Sequence, residues 1–191
     1  MAGKQAKTLM ESDIKSMLRY VAKNRYPVRD RATILLSIKA GLRAGEIANL
    51  TWPMVLNAHG KIGPVIELSD VAAKRKSGRS IPIHPQLQTS LKRLRKLSDA
   101  TGPIITSERG GQLTANSVVN WFATLYRTLD LQGCSSHSGR RTFITKAARR
   151  VHRVGGSLRD VQQLAGHRSL AMTQSYIDGD TRIKRRLVAL L

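Results

Sequence analysis

Leu164-Ala-Gly-His-Arg-Ser-Leu-Ala-Met-Thr-Gln-Ser-Tyr176 is the stretch on which the reading of this 191-residue chain turns. Gly166 is suited to end one helix, because glycine enters the left-handed conformation that terminates helices at little cost. Ser169 is suited to cap a short second helix that closes near Tyr176, its hydroxyl accepting from an N–H of the first turn. Alone, the segment reads as a helix-turn-helix whose second helix enters a groove of DNA. On that reading His167 is a turn residue and Tyr176 a core or backbone-contacting side chain. The alternative is that both carry chemistry, and the rest of the chain decides between the two.

Charge comes next. Lys and Arg total 33 against 12 acidic residues, a formal net charge of +21. Self-repulsion of that size destabilises a compact state unless a polyanion offsets it. Nucleic acid is the leading partner, through salt-sensitive phosphate contacts, and an anionic membrane surface is the rival. No stretch approaches the roughly 20 apolar residues that span a bilayer. The N-terminal MAGKQAKTLMES lacks the apolar centre of a signal peptide. Cys134 is the only cysteine, which excludes an intrachain disulfide and a cysteine-rich zinc site. The expectation is a reducing, intracellular compartment, with Cys134 a small packed residue.

Hydrophobic residues make up 41% of the chain and aromatics 4%, so the core must be built mainly from Leu, Ile, Val and Ala. That composition leans helical. Residues 1–7 read as a flexible basic tail. Thr8-Leu-Met-Glu11 fits a capping box ahead of Ile14, Met17, Leu18 and Val21 at helical spacing. Pro27 opens a second helix that stops at Gly41, and a third, short one runs from Gly45 to Leu50. Pro64–Leu68 and Ser80–Ile83 read as short strands around the basic segment Lys74-Arg-Lys-Ser-Gly-Arg79, a hairpin or part of a three-stranded sheet. Pro82 places the second strand at an edge or its pairing at an end. Pro85 starts a helix to about Leu97, Pro103–Thr106 reads as a strand, and 114–129, 137–150 and 158–165 read as helices. Residues 177–191 form an amphipathic tail. The expected class is mainly α with a small antiparallel β-sheet, an α+β fold in one compact unit.

Three further constellations stand beside the opening stretch. In Ser135-Ser-His-Ser-Gly-Arg-Arg141, a helix start puts His137 and Arg140 three residues apart, where imidazole and guanidinium address one ligand. The helix N-terminus adds its own preference for an anion. On this motif alone, a capped, solvated helix start is the favoured explanation. In Ala40-Gly-Leu-Arg-Ala-Gly-Glu-Ile47, Arg43 follows a glycine turn, and Glu46 lies three residues on as a surface ion-pair partner. The basic hairpin is the third, and a solvated positive tip is its plain explanation.

Taken together, Gly41-Leu-Arg43 with Glu46-Ile47, His137-x-x-Arg140 with Thr142-Phe143, and Leu164-Ala-Gly-His167 with Tyr176 nine residues later resemble the tyrosine recombinase (phage integrase) family in order and spacing. The resemblance spans residues 8–191 and implies that family's catalytic-domain fold. It implies site-specific breakage and rejoining of DNA through a 3′-phosphotyrosine. Arg43 and Arg140 would hold the scissile phosphate, His137 would assist proton transfer, His167 would fill the second His/Trp position, and Tyr176 would be the nucleophile. The family also uses a hairpin lysine. Counting eight residues back from Pro82 selects Lys74, while a Lys-Ser-Gly turn selects Lys76; Lys74 is preferred. Arg75, Lys76, Arg79, Arg141 and Arg168 would contact DNA.

The family's chemistry suits these side chains. Paired guanidiniums give bidentate contacts to non-bridging phosphate oxygens, and their benefit is electrostatic preorganisation. A phenol of pKa near 10 needs a cationic site and a nearby base to attack at neutral pH. The departing 5′-oxygen needs a proton, which the hairpin lysine supplies. The resemblance implies no metal and no cofactor. The implied partners are double-stranded DNA and further copies of the chain, as a dimer or tetramer on DNA, with no membrane. The implied setting is bacterial or phage cytoplasm.

Members of this family usually carry a separate N-terminal helical domain. Forty-two residues precede Arg43 and read as catalytic-domain helices, so that domain is expected to be absent from this chain. Residues 177–191 resemble a tail exchanged between protomers. Two other functions stay open on the residues alone, a non-catalytic helix-turn-helix regulator and a type IB topoisomerase-like enzyme.

Overall fold

A computed structural model describes residues 6–73, 78–98, 101–176 and 188–189. The elements run α1 (Glu11–Val21), α2 (Pro27–Lys39), α3 (Ala44–Asn49), a 3₁₀ turn at Trp52–Met54, β1 (Val65–Leu68), β2 (Arg79–Pro82), α4 (Pro85–Arg95), α5 (Ala115–Thr128), α6 (Ser138–Arg150), a 3₁₀ turn at Val151–Val154, α7 (Leu158–Ala165) and α8 (Leu170–Gln174). The fold is mainly helical with one small antiparallel sheet. The chain divides into two compact units, Met1–Phe143 and Ile144–Leu191, and the boundary falls within α6.

In the first unit α2 is the central element. Ala32, Ile34, Leu35, Leu36 and Ile38 are all buried, because α1, α3 and α4 each pack against it. From α4 come Leu87, Leu91 and Leu94, whose spacing of three and four puts them on one face. α5 lays Val118, Phe122, Leu125 and Tyr126 in the same way, and it packs on α3. Trp52 is fully buried, with the Arg95 guanidinium 5.3 Å from its ring centroid.

β1 and β2 pair antiparallel, with Ile66 opposite Ile81 and both inward. Pro82 lies opposite Val65 at the end of the ladder, where its missing N–H breaks nothing. The hairpin tip, residues 74–77, lies outside the described residues, and with it Lys74, Arg75 and Lys76. The expected exchanged tail, 177–191, lies almost wholly outside them as well.

Two local expectations differ from the structure. Thr8 does not cap α1. The Leu9 N–H donates to Thr142 Oγ1 at 2.8 Å, and the helix begins at Glu11 with Met10 extended and its N–H donating to Asp13. Pro103–Thr106 forms single bridges rather than a strand. Its partner chain at Leu50–Trp52 turns at once into a 3₁₀ helix, so the bonds from Trp52 N–H to Gly102 and from Ile104 N–H to Leu50 cannot extend into a ladder.

The second unit contains the end of α6, α7 and α8. Ser157 caps α7, its hydroxyl accepting from the Arg159 N–H while Asp160 accepts from the Ser157 N–H. Gly166 ends α7 at φ 60°, and Ser169 caps α8, as the opening stretch of sequence suggested.

Candidate active site

In the first unit the site starts at the end of α2. Gly41 turns the chain at φ +66°, and a Cβ there would collide with the ring of Phe143. Glycine is therefore needed twice, for the left-handed backbone and for the close approach. The turn delivers Arg43 to the N-terminus of α3, where its N–H donates to Glu46 Oε2 at 2.8 Å and its Nη1 to Oε1 at 2.7 Å. Sequence reading treated Glu46 as half of a surface pair. It is instead almost fully buried, and Arg79 of β2 adds Nη1 to Oε1 at 3.0 Å and Nη2 to Oε2 at 3.1 Å. Each carboxylate oxygen thus accepts one bond from Arg43 and one from Arg79. Burial pushes the carboxyl pKa up, but the hydrogen bonds and charge of Arg79, then those of Arg43, outweigh it and hold it below the ordinary glutamate range.

The second arginine motif meets the first at the same turn. Arg140 is 2% exposed, and its Nη1 donates to the Gly41 carbonyl at 2.7 Å, across 99 residues of sequence. α6 begins at Ser138, whose hydroxyl accepts from the Ser135 N–H, so His137 lies just ahead of the helix rather than inside its first turn. His137 is exposed and Arg140 is buried. Arg141 is half-buried. The side chain of Arg79, expected on DNA, is 7% exposed and bonded to Glu46.

In the second unit His167 and Tyr176 come together. Their rings lie 5.3 Å apart between centroids at an interplanar angle of 28°. His167 is buried, and its Nδ1 lies 3.0 Å from Oγ1 of Thr173, a side chain with no exposed surface. Gln162 fixes the backbone from the other side, donating through Nε2 to the His167 carbonyl at 2.9 Å and accepting the His167 N–H at its own carbonyl. Tyr176 follows α8, its carbonyl 3.4 Å from the Thr145 hydroxyl, and is half-buried. Arg168 is exposed. Thr173 was missed in the sequence, where a polar residue on a short helix carries no mark of burial.

The residues matched by the family description "Phage integrase family" are 7–182. The chain belongs to the phage integrase family. Tyrosine recombinase XerC of Methylobacterium sp. (strain 4-46) is 30% identical over 160 residues, covering 80% of this chain and 46% of that protein. Tyrosine recombinase XerA of Pyrococcus furiosus is 29% identical over 177 residues, covering 89% and 56%. The chain thus spans about half the length of these relatives. Among solved structures, the Tn1549 transposon integrase in complex with a circular intermediate DNA superposes with a TM-score of 0.75 at 19% identity, covering 100% of this chain and 67% of that one. The fold is that of a tyrosine recombinase catalytic domain.

As an integrase-family chain, it pairs its motifs within each unit. In the first unit Arg43 and Arg140 lie at one turn, and in the second the Tyr176 ring lies against the His167 imidazole. Cys134 is half-buried, and burial raises its thiol pKa. Among the described residues no His, Cys, Asp and Glu cluster is arranged to hold a metal ion, and no helix is long and apolar enough to cross a membrane.

Proposed function

We propose that the chain is the catalytic part of a site-specific DNA recombinase acting on double-stranded DNA. Tyr176 Oη attacks the scissile phosphorus, the P–O5′ bond breaks, and a 3′-phosphotyrosine forms with release of a 5′-hydroxyl. The phenol proton passes to His137 or water, and the leaving oxygen takes one from the hairpin lysine, Lys74. Arg43 and Arg140 bind the non-bridging oxygens, and His167 supports the same phosphate. A 5′-hydroxyl from a second strand reverses the step, so strand exchange needs no external energy source. Lys76, Arg75, Arg141 and Arg168 supply phosphate contacts, and the protein works as a dimer or tetramer on DNA in a reducing cytoplasm.

The observation that carries this reading is the bond from Arg140 to Gly41, which ties the two arginine motifs to one turn although 99 residues separate its ends. The experiment is covalent capture. The protein is incubated with a pool of nicked duplexes carrying randomised flanks, then denatured and resolved on a gel. A protein–DNA adduct that disappears in Tyr176→Phe is expected. DNA binding with no adduct from any duplex would overturn the reading in favour of a non-catalytic regulator. Relaxation of any supercoiled plasmid without a preferred site would move it to a topoisomerase.

A further inference from the structure

Arg79 sits in the hairpin that bears the catalytic lysine, yet its guanidinium is spent inside the protein. We propose that Arg79 is a positioning residue for strand cleavage, acting through Glu46 to set how Arg43 presents its guanidinium, and not a DNA contact. The inference rests on the functional reading above.

Two arginines compete for a single carboxylate. Left to one arginine, a buried glutamate takes both of its oxygens to the guanidinium in a bidentate fork, the strongest geometry available to the pair. Arg43 does not have that geometry. It reaches Glu46 with its backbone N–H and with Nη1 alone, and among the described residues its Nε and Nη2 meet no acceptor. The reason is visible at Glu46, where Arg79 occupies the second position on both oxygens with Nη1 and Nη2. Arg79 therefore does two things. It fixes the carboxylate plane, so the Arg43 Nη1 bond has one direction. It also prevents the carboxylate from claiming the donors that a phosphate needs. Because Glu46 takes both Arg79 Nη1 and Nη2, those donors are not presented to a phosphate. The same contact joins β2 to α3, so the base of the lysine-bearing hairpin and the arginine turn are held by one ion.

The test uses the full chain and a nicked duplex captured as above. Single-turnover adduct formation at saturating DNA, DNA affinity and its salt dependence are measured for the unmodified chain, Arg79→Gln, Arg79→Lys and the double variant Arg79→Gln/Glu46→Gln. Expected is at least a ~10-fold slower cleavage in Arg79→Gln, on the scale of losing one aligned cationic donor, with affinity and salt slope unchanged. Arg79→Lys keeps the charge and recovers part of the rate. The double variant, which removes the competing anion together with the more deeply buried of its two cations, is faster than Arg79→Gln. A reduced salt slope with unchanged saturating rate would overturn the proposal in favour of a phosphate contact. A double variant slower than Arg79→Gln would overturn it in favour of a purely structural pair. No adduct from the unmodified chain would remove the functional reading and the proposal together, whereas equal rates for the unmodified chain and Arg79→Gln would remove the proposal alone.

Discussion

The imidazole of His167 stacks on the ring of Tyr176, 28° from parallel, while its Nδ1 is held 3.0 Å from the hydroxyl of Thr173. Three residues of one short segment thus form a chain of orientation, from a hydroxyl with no exposed surface to the imidazole and on to the phenol. A hydrogen bond to one ring nitrogen of a histidine fixes both its tautomer and the direction of the ring.

Thr173→Val tests that chain, because valine fills the same volume without the hydroxyl. Losing one buried hydrogen bond should lower stability by about 1 kcal/mol. Adduct formation should slow several-fold while DNA affinity holds. Thr173→Ser, which keeps the hydroxyl, should retain most of the rate. Denaturant midpoints and single-turnover capture measure the two effects, and equal rates for Val and Ser would show that the hydroxyl does not orient His167.

Arg140→Lys separates charge from shape. Lysine keeps the charge but lacks the planar fork that can bond a carbonyl and a phosphate at once. The Gly41 carbonyl loses its partner, so stability should fall by about 1–3 kcal/mol. Cleavage should fall by ~100-fold or more, as when a preorganised donor is removed. A lysine variant that cleaves at the original rate would show that only charge is required at position 140.

Much of this was legible from the residues. Pro27, Gly41, Pro85, Gly166 and Ser169 mark their elements through backbone rules that act locally, and the structure places the helix ends within a few residues of them. Long-range partners were not legible. Thr8 does not cap α1 because the helix begins at Glu11 with the Met10 N–H on Asp13, while the Leu9 N–H is held by Thr142, 133 residues away. Glu46 looked like a surface residue because helical spacing pairs it with Arg43, and nothing local announces that β2 brings Arg79 to the same carboxylate. His137 and Arg140 share a face in an ideal helix, but α6 starts one residue after His137 and the two side chains differ in burial.

Gly41→Ala should be more harmful than a surface glycine change. An L-residue in the left-handed region costs about 1–2 kcal/mol, and the new Cβ meets the Phe143 ring as well. Phe143→Leu in the same chain should return part of the loss by vacating space, and the backbone cost should remain. Full recovery in the double variant would mean that the left-handed turn carries no strain of its own. Thermal or denaturant unfolding of the three variants decides it.

Glu46 sets an acid limit on stability, and its sign follows from its surroundings. The charged groups that the described structure puts against it are Arg43 of α3 and Arg79 of β2, which hold its pKa below the ordinary range despite burial. A depressed carboxyl pKa stabilises the folded state above the unfolded value, about 4.3 for glutamate. That contribution is lost as pH falls through the lower folded value. At neutral pH Glu46→Gln should destabilise by up to about 3–5 kcal/mol, less to the extent that the half-exposed Arg43 regains water. As pH falls below 5 the unmodified chain loses what the variant never had, so the gap between them should close. Urea midpoints measured from pH 7 to pH 3 test this. A gap that stays constant to pH 3 would show that the glutamate contributes through shape and hydrogen bonding, with its charge adding nothing.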